Sequence, residues 1–239
     1  ITEFMEQESV DIISDAFDVI YDPTLHENLE SISSQIAAVD AVIVRNKTQL
    51  TEALLLKAKK LTFVGRLGVG LDNIDTEFCS NNNIFVQPAT GMNADSVAEY
   101  VIACSLSLLK NIPISHNGTV SGQWPRTSIK SRELGGKTLG LLGFGVIGKK
   151  VSRLAQVFGA NVIAYDPFVS SSDAESLDVT LTTQDEIFRL SDVISIHLPL
   201  TDETRDLMNL SSFNKMKKSP IVINSSRGSI VNEEDLLKA

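Results

Sequence analysis

Eight short runs of aliphatic and β-branched residues, spaced by stretches long enough for a helix, constrain this chain more than any other feature. They form two sets: DVIYD (18–22), AVIVR (41–45), LTFVG (61–65) and IFVQP (84–88), then TLGLLGFG (138–145), NVIAYDP (161–167), DVISIHLP (192–199) and PIVINSS (220–226). Strands that alternate with helices build parallel sheets. The second set lacks strict polar alternation, as expected of strands covered on both faces. The pattern therefore predicts an α/β protein with a parallel sheet in each half of the chain.

Composition permits this and narrows the partners. The 239 residues, 43% hydrophobic and 21% charged, suit one large or two small globular domains and exclude a disordered or fibrous chain. Thirty acidic against twenty-one basic residues give a net charge of −9, and the basic ones are scattered apart from Lys57, Lys59, Lys60 and Lys215, Lys217, Lys218. Nucleic acid is not an expected partner. No apolar run approaches the roughly 20 residues of a membrane helix, and the start, ITEFMEQES, is acidic where a secretory signal is basic and then apolar. A cytoplasmic protein without a membrane partner is expected. Cys79 and Cys104 have no metal-ligand spacing and are too few for a disulfide framework, so neither metal nor disulfide is expected.

Between the two sets, NADSVAEYVIACSLSLLK (93–110) carries Ser96 and Glu99 at capping-box spacing and an apolar stripe of Val97, Val101, Cys104 and Leu108. Ile102, Leu106 and Leu109 widen that stripe, which predicts a long helix covered on several sides and suited to a domain or subunit contact. Residues 111–136 have little periodicity and are too long for an ordinary connector. They read equally as an arm packed on a neighbour or as a surface excursion.

The segment GKTLGLLGFGVIGKKVSRLAQVFGANVIAYDP (136–167) runs strand, glycine turn, helix, strand, acid, the order that a dinucleotide site requires. Gly143 permits the tight turn, Gly145 lets the backbone approach a pyrophosphate, and Gly148 lets helix and strand pack closely. The helix is amphipathic through Ile147, Val151, Leu154 and Phe158, and Gly159 stands where a C-terminal cap belongs. Asp166, eighteen residues after Gly148, can accept hydrogen bonds from both ribose hydroxyls and repels a 2′-phosphate. No Arg or Lys follows it in Pro167, Phe168, Val169 and Ser170, which favours NAD over NADP.

Other residues at strand ends remain open at this level. Arg227 follows the last run, beyond the carboxyl end of a parallel strand where ligands bind. It could grip a carboxylate bidentately or be a solvated surface charge. In GRLGVGLDNID (65–75), Gly68, Val69 and Gly70 could form a concave run of N–H donors for a carboxylate. The same segment could be a turn leading into a helix capped by Asp72 or Asn73. Arg45 closes its strand as a second anion contact or a solvated edge residue. His26 and His116 are expected at the surface, and His197, at the end of its strand, as a packing residue rather than a base.

Taken in order, VRNKT, GRLGVGLDNID, GMNADSVAEYVIA, Trp124 before ELGGKTLGLLGFGVIG, YDP, HLPLTDETRDLMN and NSSRGSIVNEEDLL resemble successive blocks of the D-isomer-specific 2-hydroxyacid dehydrogenases, in their 3-phosphoglycerate-dehydrogenase-like branch. The resemblance implies two doubly wound parallel-sheet domains: a flavodoxin-like substrate domain over 1–92 and an NAD-binding Rossmann domain over 93–239, with the active site in the cleft between them. It implies that Val146 and Ile147 face the NAD pyrophosphate and Asp166 the adenosine ribose. Leu198, Pro199 and Thr204 would face the ribose and nicotinamide, and Ser225 and Ser226 would also line the cofactor. Arg227 would be the catalytic arginine on the substrate carboxylate and reacting oxygen, and Gly68, Val69 and Gly70 the carboxylate-binding loop. Arg45 and Asn46 would meet a second anion on a 2-hydroxy or 2-oxo acid, a phosphate or sulfonate. A homodimer through the long helix and arm is implied as well.

The family carries an acid/base Glu and His after the arginine block, and this sequence reaches Ala239 before either. With Ile rather than Met at position 1, the expectation is a piece of a longer chain, without its last strands and close to inactive as it stands, since general acid/base catalysis contributes roughly 10²–10⁴ in rate. An NAD(H)-sensing, corepressor-like binding protein on the same scaffold is the alternative to a hydride-transferring dehydrogenase.

Overall fold

A computed structural model describes residues 1–124 and 126–239. The chain divides into two compact units, Ile1–Met92 and Asn93–Ala239.

The first unit contains α1 (Gln7–Ser14), α2 (Leu29–Ile36), β1 (Ala41–Val44), α3 (Glu52–Leu55), β2 (Phe63–Arg66), α4 (Thr76–Asn81) and β3 (Phe85–Pro88). Its three strands are parallel in the order β1-β2-β3, with Ala41, Phe63 and Phe85 in register. Val42, Val44 and Val64 project into a core with Ile32 and Ile36 of α2, Leu54 and Leu55 of α3 and Cys79 of α4. The run DVIYD, expected as a strand, is irregular. The place beside β1 is taken by the first residues, where the Thr2 N–H donates to Ile43 O at 3.1 Å. Residues 20–22 are tied to that segment instead: the Ile1 ammonium donates to Ile20 O, the Asp22 N–H to Ile1 O and the Tyr21 hydroxyl to Met5 O. His26 also departs from expectation, its side chain being only 11% exposed. The 3₁₀ turn that carries it docks through buried Leu25, and the His26 N–H donates to Thr2 O. His116 is exposed, as expected.

The second unit contains α5 (Ala94–Leu109), α6 (Ile112–Val120), β4 (Thr138–Leu142), α7 (Val146–Val157), β5 (Asn161–Tyr165), α8 (Ser171–Glu175), β6 (Thr180–Leu181), α9 (Gln184–Leu190), β7 (Val193–Ile196), α10 (Leu210–Asn214), β8 (Ile221–Asn224) and α11 (Glu233–Leu236). Five parallel strands lie in the order β6-β5-β4-β7-β8, so the connections leave the central β4 in opposite directions. That reversal opens a crevice at the carboxyl ends of β4 and β7. Leu139 and Leu141 of β4 share one core with Val101 of α5 and Val151 and Ala155 of α7. Leu142 faces a second core with Ile187 and Phe188 of α9 and Phe213 of α10.

Helix α5 starts earlier than the capping box implied. Asn93 precedes its first turn without a side-chain cap bond, and Ser96 lies inside the helix. Its buried side runs through Ala94, Ala98, Val101, Ile102, Ser105 and Leu109, while Tyr100 and Leu108 stay exposed. Residues 112–120, expected without regular structure, form α6. Asn111 adopts a left-handed conformation that ends α5, and Pro113 falls in the first turn of α6, where its missing N–H costs nothing. No residue of α6 is buried. Among the described residues no single helix is long and apolar enough to cross a membrane; α5 and α6 together meet that test but are bent by 60°.

Candidate cofactor and substrate site

The glycine turn is built as its residue types demand. Gly143 has φ +96°, donates its N–H to Tyr165 O, and leaves so little room that a Cβ would lie 2.6 Å from His197 O. A Cβ on Gly148 would lie 2.5 Å from Gly143 O, which presses α7 onto the turn. Gly145, the residue before α7, has open space where its Cβ would stand. The first-turn N–H groups of α7 and its positive dipole end face that space, the arrangement that receives a phosphate. Val146 is exposed beside it, whereas Ile147 turns inward onto the core. Gly159 caps the far end with φ +76°.

Asp166 stands at the end of β5 with its carboxylate fixed from two sides. Oδ2 accepts from the Phe144 N–H at 2.8 Å and Oδ1 from the Phe168 N–H at 2.9 Å. Each oxygen retains accepting capacity for a diol. The open space at Gly145 and the anchored acceptor at Asp166 suit the adenosine half of NAD.

The ends of β7 and β8 complete this edge of the sheet. The His197 N–H donates to Leu142 O at 2.7 Å, and Nε2 pairs with Ser195 Oγ at 2.9 Å. Burial pushes its pKa down to about 4, so the ring is neutral near pH 7, in keeping with a packing residue. Leu198 Cδ2 reaches to 3.3 Å of the position of a Gly143 Cβ, which brings this side chain to the turn. The Thr204 hydroxyl is engaged in its own loop: it donates to Pro199 O and accepts from the Thr201 N–H. The pairing of Ile196 with Asn224 sets His197 beside Ser225 on the next rung. Ser225 Oγ is buried without a protein partner among the described residues. Asn224 pins the following turn by accepting from the Ser226 N–H and hydroxyl and donating to Arg227 O. Arg227 is thus held in extended backbone just past β8, half-buried, with Nη1 donating to Ser226 O.

In the first unit the carboxylate-loop residues are arranged differently from the expectation. The Gly68 N–H turns back to Arg66 O and is engaged there. Gly68 holds φ +145°, a conformation that favours glycine, and the end of the flexible Arg66 side chain lies where its Cβ would stand. Neither Asp72 nor Asn73 caps the following helix: Asp75 does, accepting from the Phe78 N–H. Asn73 is buried and donates to Thr48 O at 2.7 Å and Arg45 O at 3.3 Å.

Arg45 and Asn46 have exposed side chains, but their backbone N–H groups are already taken. The Glu3 carboxylate accepts from Arg45 N (2.8 Å), Asn46 N (3.2 Å), Lys47 N (3.0 Å) and Thr48 N (3.0 Å). Burial alone would push the Glu3 carboxyl up; the N–H groups of Thr48, Lys47 and Arg45 outweigh it and hold the pKa below the ordinary value. Sequence reasoning missed Glu3, because nothing local links it to residues more than 40 positions away. Among the described residues, no group of three or more His, Cys, Asp or Glu is placed to hold a metal.

Residues 102–239 match the D-isomer specific 2-hydroxyacid dehydrogenase NAD binding domain. The whole chain is 40% identical to (S)-sulfolactate dehydrogenase of Chromohalobacter salexigens over 99% of its length and 77% of that protein's. It is 35% identical to D-3-phosphoglycerate dehydrogenase of Methanocaldococcus jannaschii over 100% of its length but 45% of that protein's. In structure it superimposes with a TM-score of 0.88 and 30% identity on D-lactate dehydrogenase from Aquifex aeolicus, complexed with NAD and lactic acid, covering 98% of this chain and 71% of that one. The chain belongs to the D-isomer-specific 2-hydroxyacid dehydrogenase family. Its cofactor is NAD.

Proposed function

We propose that the protein moves a hydride between C2 of a small 2-hydroxy acid and NAD, the first unit binding substrate and the second the cofactor. The observation that carries this reading is the carboxyl edge of the five-stranded sheet, where the open Gly145 position, the anchored Asp166 and the strand-end Arg227 stand together. Asp166 holds the adenosine ribose diol, the turn from Gly143 to Gly148 and the Val146–Ile147 backbone receive the pyrophosphate, and Leu198, Pro199, Thr204, Ser225 and Ser226 line the remainder. NAD bound there would supply the hydride acceptor or donor. Arg227 orients the substrate carboxylate and stabilises charge on the reacting oxygen; within the first unit, the Gly68–Gly70 loop is the proposed carboxylate-binding segment. Arg45 and Asn46 meet a second anion, as the sulfolactate and phosphoglycerate relatives suggest.

Calorimetry with NADH tests the cofactor half. Asp166→Ala is expected to weaken binding about 10- to 100-fold, the loss of one hydrogen bond to a charged acceptor. Unchanged affinity would refute the assignment. Production of NADH by the full-length protein over D- and L-2-hydroxy acids tests the reaction, and binding without turnover on any of them would favour the sensing alternative.

We further propose a homodimer through the outer sides of α5 and α6, where Tyr100, Leu108, Ile112, Ile114, Val120 and Trp124 leave apolar surface exposed. Sedimentation should show a dimer that Ile114→Asp with Val120→Asp converts to monomer. A monomeric wild type would remove the proposal.

A further inference from the structure

The loop that follows β1 is gripped on both its donor and its acceptor sides by groups from distant parts of the first unit. Its four successive N–H groups, Arg45 to Thr48, converge on one point, a concavity that by itself attracts an anion. The anion it holds is the chain's own Glu3, 3% exposed. On the acceptor side, the Asn73 amide bridges Arg45 O and Thr48 O, and Thr48 Oγ1 pairs with Thr2 Oγ1 at 2.7 Å. The side chains of Arg45, Asn46 and Lys47 are left on the outside.

We propose that Glu3 and Asn73 are positioning residues that hold the Arg45–Thr48 loop as a preformed receptor for a negatively charged group at the end of the substrate remote from its carboxylate. The inference rests on the dehydrogenase reading above and deepens it. Because Glu3 fills the backbone concavity, a substrate phosphate or sulfonate is met by the Arg45 guanidinium and the Asn46 amide. Long side chains lose rotamer freedom on binding. A loop whose backbone is already immobile keeps the further loss to those side chains alone. A carboxylate suits the holding role because charge-assisted bonds to N–H donors are about twice as strong as neutral ones. Asn73 adds a second connection. It lies just beyond the Gly68–Gly70 loop, whose preceding Leu67 N–H donates to Val44 O, so the segments proposed to bind the two ends of the substrate are tied to each other.

The experiment compares KM and kcat of the full-length protein for sulfolactate, 3-phosphoglycerate and lactate, in the wild type, Glu3→Gln and Asn73→Ala. The Glu3→Gln amide turns a donor toward donors, and Asn73→Ala removes the bridge without touching a charge. Each variant is expected to raise KM for the doubly anionic substrate that the wild type prefers at least ten-fold more than KM for lactate, with the larger change in KM rather than kcat. Glu3→Asp should restore part of the difference. Amide hydrogen exchange at residues 45–48 should accelerate at least ten-fold in Asn73→Ala, which supplies a readout if Glu3→Gln does not fold. Equal rises for charged and uncharged substrates, or unchanged exchange at 45–48, would overturn the positioning role while leaving the dehydrogenase reading intact. A wild type that turns over 2-hydroxy acids without preferring a doubly anionic one would also overturn it. Absence of turnover on every acid would defeat the underlying reading instead.

Discussion

Arg227→Ala is expected to lower kcat/KM for 2-hydroxy acid oxidation by about 10²- to 10⁴-fold while leaving NADH affinity within about three-fold of wild type. The magnitude follows from the two tasks proposed for the guanidinium. A bond from a charged donor contributes roughly 1.5–3 kcal/mol, and two of them come to about 3–6, at 1.36 kcal/mol per factor of ten. Asn224 fixes the backbone on both sides of it, the segment is extended, and the side chain emerges at the same sheet edge as the glycine turn. Arg227→Lys should recover little, because an ammonium cannot reproduce the planar fork. Steady-state kinetics together with NADH titration decide the matter. A variant that loses NADH affinity and turnover in parallel would make Arg227 a structural or cofactor residue, and one that keeps wild-type turnover would remove it from the site.

Strands β4 and β7 were legible because they are covered on both faces, so burial shows in the sequence as a nearly unbroken aliphatic run, whereas β5 alternates buried and partly exposed residues. Thr180–Leu181, two residues long, is too short to leave such a trace. DVIYD carries the composition of a strand but not the position, since residues 1–4 occupy the side of β1 where it would pair. Helix α6 escaped notice because IPISHNGTV packs no face against the rest of its unit, and a helix with nothing to bury needs no apolar period. Around the glycine turn, the backbone roles legible in the sequence are those whose constraint is local. Gly143 answers a positive φ, Gly148 a carbonyl 2.5 Å from its missing Cβ, and Gly159 a helix end. Asn73 and Glu3, whose roles the sequence did not show, are set by partners across the fold: carbonyls 25 and 28 positions away and a loop more than 40 positions away.

The two outer functions of the glycine turn separate cleanly under substitution, and this pair of variants carries the largest expected effect on stability. Gly143→Ala should destabilise the second unit by about 2–6 kcal/mol. Its φ of +96° costs an L-residue roughly 1–3 kcal/mol, and forcing a methyl against the His197 carbonyl at 2.6 Å adds an overpacking cost of about 1–3. The carbonyl cannot withdraw easily, because the His197 N–H is bonded to Leu142 O in the central ladder. Gly145→Ala meets neither obstacle: its φ is −77° and its Cβ position is open, so stability should fall by less than about 1 kcal/mol. What that methyl does occupy is the space in front of the first turn of α7, and NADH binding should weaken by at least about ten-fold as the pyrophosphate is pushed away from the N–H groups. Urea unfolding and NADH calorimetry on both variants distinguish the two roles. If Gly145→Ala binds NADH as the wild type does, the phosphates lie elsewhere and the glycine turn is a packing device alone.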